Sequence, residues 1–166
     1  MLRPAHGGDL PEVLVLLAEA GLPSAGLGEH LGTLLVATTP GPGGDAGLGD
    51  AGLGGDFGGR VVGSAGLELY GSGALLRSVV VAPGLRDRGL GADLVRAALA
   101  LAAERGVTRV YLLTETAEGY FARLGFRRVE REAVEGGVTG SVEFTDACPL
   151  SATAMLWVAD PQSAPA

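Results

Sequence analysis

SVVVAPGLRDRGLGADLV, residues Ser78 to Val95, sets a β-branched run beside a proline, the three charged residues Arg86 to Arg88 and two glycines spaced Gly-x-Gly, Gly89 and Gly91, and then turns helical. The backbone amides of a helix's first turn have no intrahelical partner, and they lie at the positive end of the helix dipole. With no side chain at Gly89 or Gly91, a phosphate can approach those amides, and Arg86 and Arg88 can add charge-assisted hydrogen bonds. The run Arg86, Asp87, Arg88, Gly89, Leu90, Gly91, Ala92 is therefore a candidate pyrophosphate cradle. A P-loop would need a lysine after its second glycine, and the chain has no lysine. A dinucleotide fingerprint would need a third glycine where Leu94 stands, and an acidic residue ~20 positions further on. The reading without a ligand is that Gly89 and Gly91 only allow tight packing where the helix begins.

Outward from this segment the pattern alternates strands and helices. RVVGSAGLELYG and GALLRSVVVAP read as two strands joined through Gly71–Gly73, a hairpin. RGLGADLVRAALALAAERG is a helix with Leu90, Leu94, Ala98 and Leu101 on one stripe and Gly106 past its end. RVYLLTET is then a strand, AEGYFARLG a short helix, FRRVERE a strand and ATAMLWV a final strand. Upstream, MLRPA is an edge strand and DLPEVLVLLAEAG a helix with Asp9 or Leu10 at its cap and Pro11 in its first turn; Leu34 to Thr38 forms a further strand. The fold class is α/β or α+β, with a mixed, mostly antiparallel twisted sheet flanked by helices. One domain spans residues 1–160. Within it, residues 40–59 carry GDAGLG twice and read as a flexible loop, and 161–166 as a disordered tail.

The 166 residues carry a net charge of −7, which argues against a nucleic-acid surface. No apolar stretch approaches the ~20 residues of a membrane span, and no apolar signal region follows Met1, so the chain reads as cytoplasmic with no membrane partner. The single Cys148 has no histidine constellation beside it, because His6 and His30 are remote in sequence. It reads as a buried structural thiol, and no metal site is expected.

The strand ending in VAP, the Arg-x-x-Gly-x-Gly of Arg86 to Gly91 and the following amphipathic helix together resemble the acetyl-CoA signature of the GNAT N-acetyltransferase superfamily. AEGYFARLGFRRV resembles a later motif of that family. The resemblance implies acetyl-CoA as cosubstrate, with Val79, Val80 and Val81 pairing by backbone with its pantetheine arm and the glycine-rich amides holding its pyrophosphate. AGLELYG, ALLRSVVVAP, YLLTETAEGYFARLGF and EFTDACPLSATAM further resemble the arsenic-resistance-associated branch and, more distantly, the acetyltransferase domain of N-acetylglutamate synthases. That likeness implies a small-molecule acceptor, an amino acid or an amino-acid-like toxin. The alternatives are an acetyltransferase for another amine, such as an aminoglycoside, a polyamine or a protein N-terminus, and a module that binds acyl-CoA without turnover.

The attacking amine must lose a proton, and Glu68 is the candidate base. It shares a strand face with Tyr70, opposite Leu67 and Leu69; the bland reading is a solvated face. Arg77 stands among apolar strand neighbours, where a guanidinium needs an anion: a substrate carboxylate, by analogy with the glutamate-acetylating relatives, or an internal salt bridge. Thr114 and Glu115 are further acceptor-side candidates, with Glu115 a reserve base. The position at which many relatives carry a tyrosine acid holds Phe121. Tyr120, the candidate acid in its stead, lies one residue earlier, ~100° around the helix, and is expected to point elsewhere. Its absence need not stop the reaction, because a thiol of pKa about 8.5 leaves as thiolate near neutrality. A strand amide near Val79 to Val81 would then stabilise the developing oxyanion. An exposed final strand would allow a homodimer.

Overall fold

The computed structural model describes residues 1–40, 59–147 and 150–159. Most of the Gly/Asp repeat, Cys148 and the C-terminal tail lie outside the described residues.

The strands are β1 (Leu2–Pro4), β2 (Leu34–Thr38), β3 (Val61–Tyr70), β4 (Gly73–Val81), β5 (Arg109–Thr114), β6 (Arg127–Val129) and β7 (Thr153–Val158). The helices are α1 (Leu10–Glu19), α2 (Leu90–Glu104), α3 (Glu118–Arg123) and the single turn α4 (Gly136–Thr139). One sheet takes the order β1-β2-β3-β4-β5-β7-β6. Every neighbouring pair is antiparallel except β4 and β5, which run parallel because α2 crosses over between them. The final strand is therefore no edge. β7 is flanked by β5 and β6, and the expectation of a dimer through an exposed last strand loses its basis. FRRVERE is also shorter as a strand than its sequence suggests: pairing ends at Val129↔Ala154, and a 3₁₀ turn follows at Arg131–Ala133.

Strand periodicity assigns the two faces of the sheet. On one, Leu94, Val95, Ala98, Leu99 and Ala102 of α2 bury against Ala65, Leu67, Leu76 and Leu112, with Phe121 of α3 closing the cluster. On the other, Val13, Leu16 and Leu17 of α1 pack on Leu34, Val36, Val61 and Val80. Val134 and Val138, around α4, extend that second face over Leu75, Tyr111, Ala154 and Leu156. Glu68, one residue from Leu67, consequently faces the α1 and α4 side.

The N-terminal strand is pinned by charge. Arg3 Nη1 and Nη2 donate to the Asp9 carboxylate at 2.7 and 2.8 Å, and the His6 amide donates to Asp9 Oδ2 at 2.8 Å. The Arg3 hydrogen bond, opposed by burial, holds the Asp9 carboxyl below its ordinary value. A carboxyl depressed in the folded state stabilises above its unfolded pKa, and that contribution disappears as pH falls through the folded one. Asp9→Asn should therefore cost about 2 kcal/mol at neutral pH and much less near pH 3, as read by urea unfolding at the two pH values. An equal cost at both would show that the charge is not what matters.

Candidate active site

Two irregularities in β4 build the site. β4 pairs with β5 only at Gly73↔Arg109, Ala74↔Val110 and Leu75↔Tyr111, so beyond Leu75 the two parallel strands part. On the β3 side the register passes from Gly66↔Arg77 to Ser64↔Val80, which leaves Ser78 and Val79 together opposite Ala65. This is a β-bulge, and Ser78 takes the left-handed backbone at φ 57° that bulged residues adopt at some energetic cost. Ser64 Oγ fastens it by donating to the Ser78 carbonyl at 2.7 Å.

A cleft of about 300 Å³ begins where β4 leaves β5 and ends at α2. Its walls are Val79, Val80, Val81, Leu85, Arg86, Asp87, Gly89, Gly91, Ala92 and Tyr120. Gly89 is the N-cap of α2 at φ 79°, where an L side chain would be strained, and no side chain caps the helix. Asp93 is the first residue of the helix whose amide reaches back to the Gly89 carbonyl, at 3.0 Å, so the preceding amides have no intrahelical partner. Arg86 Nε donates to the Val81 carbonyl at 3.1 Å and ties the loop to the end of β4.

On the α1 and α4 side of the bulge lies a buried polar cluster. Arg77, 3% exposed, donates from Nη1 to Glu68 Oε2 at 2.7 Å and from Nε to Ser78 Oγ at 3.2 Å. Its Nε also lies 3.5 Å from Oε1 of Glu143, while its Nη2 is buried without a hydrogen-bond partner among the described residues. The carboxylate of Glu68, 1% exposed, accepts further hydrogen bonds at Oε1 from Tyr70 Oη and from Ser141 Oγ at 2.8 Å, and His30 Nε2 stands 3.5 Å away. Burial pushes Glu68 up, but the hydrogen bonds from Tyr70, Arg77 and Ser141 outweigh it and hold this carboxyl below its usual range. Burial, with Glu68 as its acceptor, pushes the Tyr70 hydroxyl up to about 12. Glu143 goes the other way. It is 4% exposed, and burial raises it to about 7, with Arg77 opposing and the charge of Glu68 adding to the rise.

Residues 47–126 match the model of the family described as acetyltransferase (GNAT) family. That stretch is just under half of the chain, and the match to the GNAT family holds for it alone. An uncharacterized N-acetyltransferase of Chlorobaculum tepidum is 36% identical over 78 residues, 46% of this chain and 50% of that protein, so the match spans half the length of this relative. A Mycobacterium tuberculosis protein solved in complex with CoA and a second ligand superposes with a TM-score of 0.74 at 24% identity, over 96% of this chain and 99% of that one. N-acetylglutamate synthase from Neisseria gonorrhoeae, complexed with coenzyme A and N-acetyl-glutamate, gives 0.73 at 18% identity, over 95% of this chain and 34% of that one. At these identities the likeness is one of fold.

Within the fold the sequence candidates separate into groups. Val79, Val80, Val81, Arg86, Asp87, Gly89, Gly91 and Ala92 share the cleft, whereas Arg88 and Leu90 are not on its wall; Leu90 packs against the α2 core instead. Tyr120 is not turned away, as its offset suggests. Phe121 is drawn into the core, edge-on to Phe126 with ring centroids 5.8 Å apart, and this rotates the neighbouring face of α3, with Tyr120, onto the cleft. A β-carbon on Gly91 would lie 2.6 Å from the Tyr120 hydroxyl, so Gly91 is bare for packing as well as for access. Burial raises the Tyr120 pKa, and the hydroxyl stays protonated at neutrality.

Glu68 and Arg77 meet each other, and Glu68 is not on a solvated face. Thr114 and Glu115 join neither group. Thr114 shares the α2-side face of β5 with Leu112 and accepts the Ala117 amide at 3.0 Å ahead of α3, while Glu115 is exposed. Ser141 and Glu143 are the members that sequence reading missed; they lie in a non-periodic segment, and only the odd acidic residue in GSVEFTDA marked it.

Proposed function

We propose that this domain moves the acetyl group of acetyl-CoA to the amine of a small amino-acid-like acceptor. The observation that carries the reading is the buried Nη2 of Arg77, without a partner among the described residues, on the same bulged strand whose end lines the cleft. A buried guanidinium donor left unmet costs free energy, and an acceptor carboxylate would meet it. Glu68 fixes the direction of Arg77 from the other side.

The cleft fits an acyl-CoA. Beyond Leu75 the β4 edge facing β5 is free of strand pairing, so an extended pantetheine arm can lie along Val79 to Val81, and the uncapped amides at Leu90, Gly91 and Ala92 face the place a pyrophosphate would take. Acetyl-CoA supplies an activated acetyl thioester. The chain's residues position it against the bulge, where a strand amide near Val79 can bond the developing oxyanion and the Tyr120 hydroxyl can donate to the departing sulfur. Against the alternatives, an acetyltransferase for an aminoglycoside, a polyamine or a protein N-terminus and a module that binds acyl-CoA without turnover, the unmet donor of Arg77 favours an acceptor that carries a carboxylate.

Thiol release from acetyl-CoA, measured with a panel of amines, tests this. α-Amino acids should be turned over with kcat/KM about 10–100-fold above that of the same amines lacking the carboxylate, the worth of one charge-assisted hydrogen bond. Equal or better turnover of polyamines, aminoglycosides or peptide N-termini would overturn the acceptor assignment. Binding of CoA without thiol release on any amine would overturn the enzymatic one.

A further inference from the structure

We propose that Glu143 takes the proton from the acceptor's ammonium group while Arg77 holds the acceptor's carboxylate, which makes the preferred acceptor a zwitterionic α-amino acid with an uncharged side chain. The assignment rests on the acetyltransferase reading above and adds a catalytic residue and a substrate class to it.

Two carboxylates flank one guanidinium, and their surroundings differ. Glu68 already accepts three hydrogen bonds, from Arg77, Tyr70 and Ser141. The Glu143 carboxylate, among the described residues, has only its 3.5 Å approach to Arg77 Nε, and its own amide is anchored on Ser141 Oγ at 3.2 Å. That approach is made at the nitrogen that also donates to Ser78 Oγ, so Glu143 and the bulged residue Ser78 share one edge of the guanidinium. Arg77 and Glu68 cancel in charge. Among the described residues the cluster leaves one donor, Nη2, without an acceptor, and a second carboxylate, Glu143, held by a single long approach to the same guanidinium; an α-amino acid offers complements to both one carbon apart. A polyamine would leave Nη2 unmet, and a second carboxylate on the acceptor would face Glu143.

Burial sets the two carboxylates apart in the way that separates a proton acceptor from a structural partner: Glu68 is held ionised, while Glu143 changes charge near neutrality. The charged groups that act on Glu143 are Arg77 from β4 and Glu68 from β3; Tyr70, Ser141 and His30 from the Leu27–Thr33 turn stand around Glu68, and Ser78 stands against the Arg77 guanidinium. Glu143 removes one proton from the ammonium. The nitrogen lone pair then forms the N–C bond as the C–S bond breaks with its electrons on sulfur; the second nitrogen proton goes to that sulfur, giving free thiol, and Glu143 returns its proton to solvent.

The experiment compares wild type, Glu143→Gln and Glu143→Asp in thiol release on a neutral α-amino acid between about pH 5.5 and 9.5. Wild-type kcat/KM should rise to a shoulder above about pH 7. Glu143→Gln should lose about a hundredfold in kcat with KM little changed, and its rate should climb without a shoulder toward the acceptor's own amine pKa. Glu143→Asp should recover part of kcat and the shoulder. A Glu143→Gln enzyme with the wild-type profile, or with only KM raised, overturns the assignment while leaving the acetyltransferase reading standing; so does wild type with no inflection near neutrality, a result independent of whether either variant folds. Wild type that turns over no amine overturns both.

Discussion

Arg77→Met should lower the unfolding free energy by about 3–5 kcal/mol, the cost of leaving a buried charge without its partner. Glu68 is 1% exposed, and Arg77 is its cationic partner at 2.7 Å. Methionine retains the length and much of the volume of the stem over Gly66, so the loss would be electrostatic rather than a cavity. For a domain of this size that is a fall in Tm of about 10 °C. Glu68→Gln combined with Arg77→Met should restore much of the loss, because an amide at position 68 can still accept from Tyr70 and Ser141. If the single variant melts with the wild type, or the double is worse than the single, Arg77 is not there to balance Glu68. Arg77→Lys separates fold from recognition: the charge remains, but the planar fork does not, and the acceptor KM should rise with stability less affected.

The same cluster sets the pH response of stability. Glu143 has a folded pKa above its unfolded one, so between about 4.5 and 7 the folded state holds a proton that the unfolded chain has lost. Stability from this group is full below that window and is lost as pH rises through it. Glu68 acts in the opposite sense: its depressed pKa contributes stability above the ordinary carboxylate range and loses it toward acid. The two carboxylates on one guanidinium therefore confine the stability of the cluster from both sides, and the Gln variant at 143 should be the more stable protein above neutrality.

Much of this architecture was legible in the sequence because it is periodic. The α1 stripe, the β3–β4 hairpin across Gly71–Gly73 and the amphipathic α2 each follow one hydrophobic period for several turns or pairs, and each forms where expected. The cleft was legible for a different reason: Gly89 and Gly91 mark backbone that must stay bare. What failed was reasoning about exposure from a strand's own alternation. Glu68 does alternate away from Leu67, but the face it enters is covered by residues 131–147, whose 3₁₀ turn, single helical turn and π turn have no period to read. Whether a polar strand residue is solvated depends on what packs over it, and here that cover comes from ~70 residues away in sequence, along with Ser141 at hydrogen-bond distance. Tyr120 failed for a related reason, because the rotation of a six-residue helix is set by which of its side chains the core claims, here Phe121.

Gly91→Ala should weaken coenzyme A binding by tenfold or more while leaving the fold intact. The added methyl would sit 2.6 Å from the Tyr120 hydroxyl and 3.5 Å from Val81 Cγ2, inside contact distance of the first and at ordinary contact with the second. Helix propensity favours alanine over glycine by about 1 kcal/mol, so the helix itself gains. The strain falls on the tyrosine, whose far end must move, and the neighbouring free volume is the cleft of about 300 Å³ that its ring already lines. Tyr120 displaced there would cover the uncapped amides of α2 and compete with a pyrophosphate for them. A double variant decides between this and a direct effect of the methyl on the phosphate. Gly91→Ala with Tyr120→Ala removes the displaced ring, and calorimetric titration with coenzyme A should recover most of the lost affinity, a reading that does not depend on any role of the tyrosine in turnover. Affinity unchanged in the single variant would mean that the ligand does not approach the helix at Gly91; affinity no better in the double would mean that Tyr120 is not what the methyl pushes.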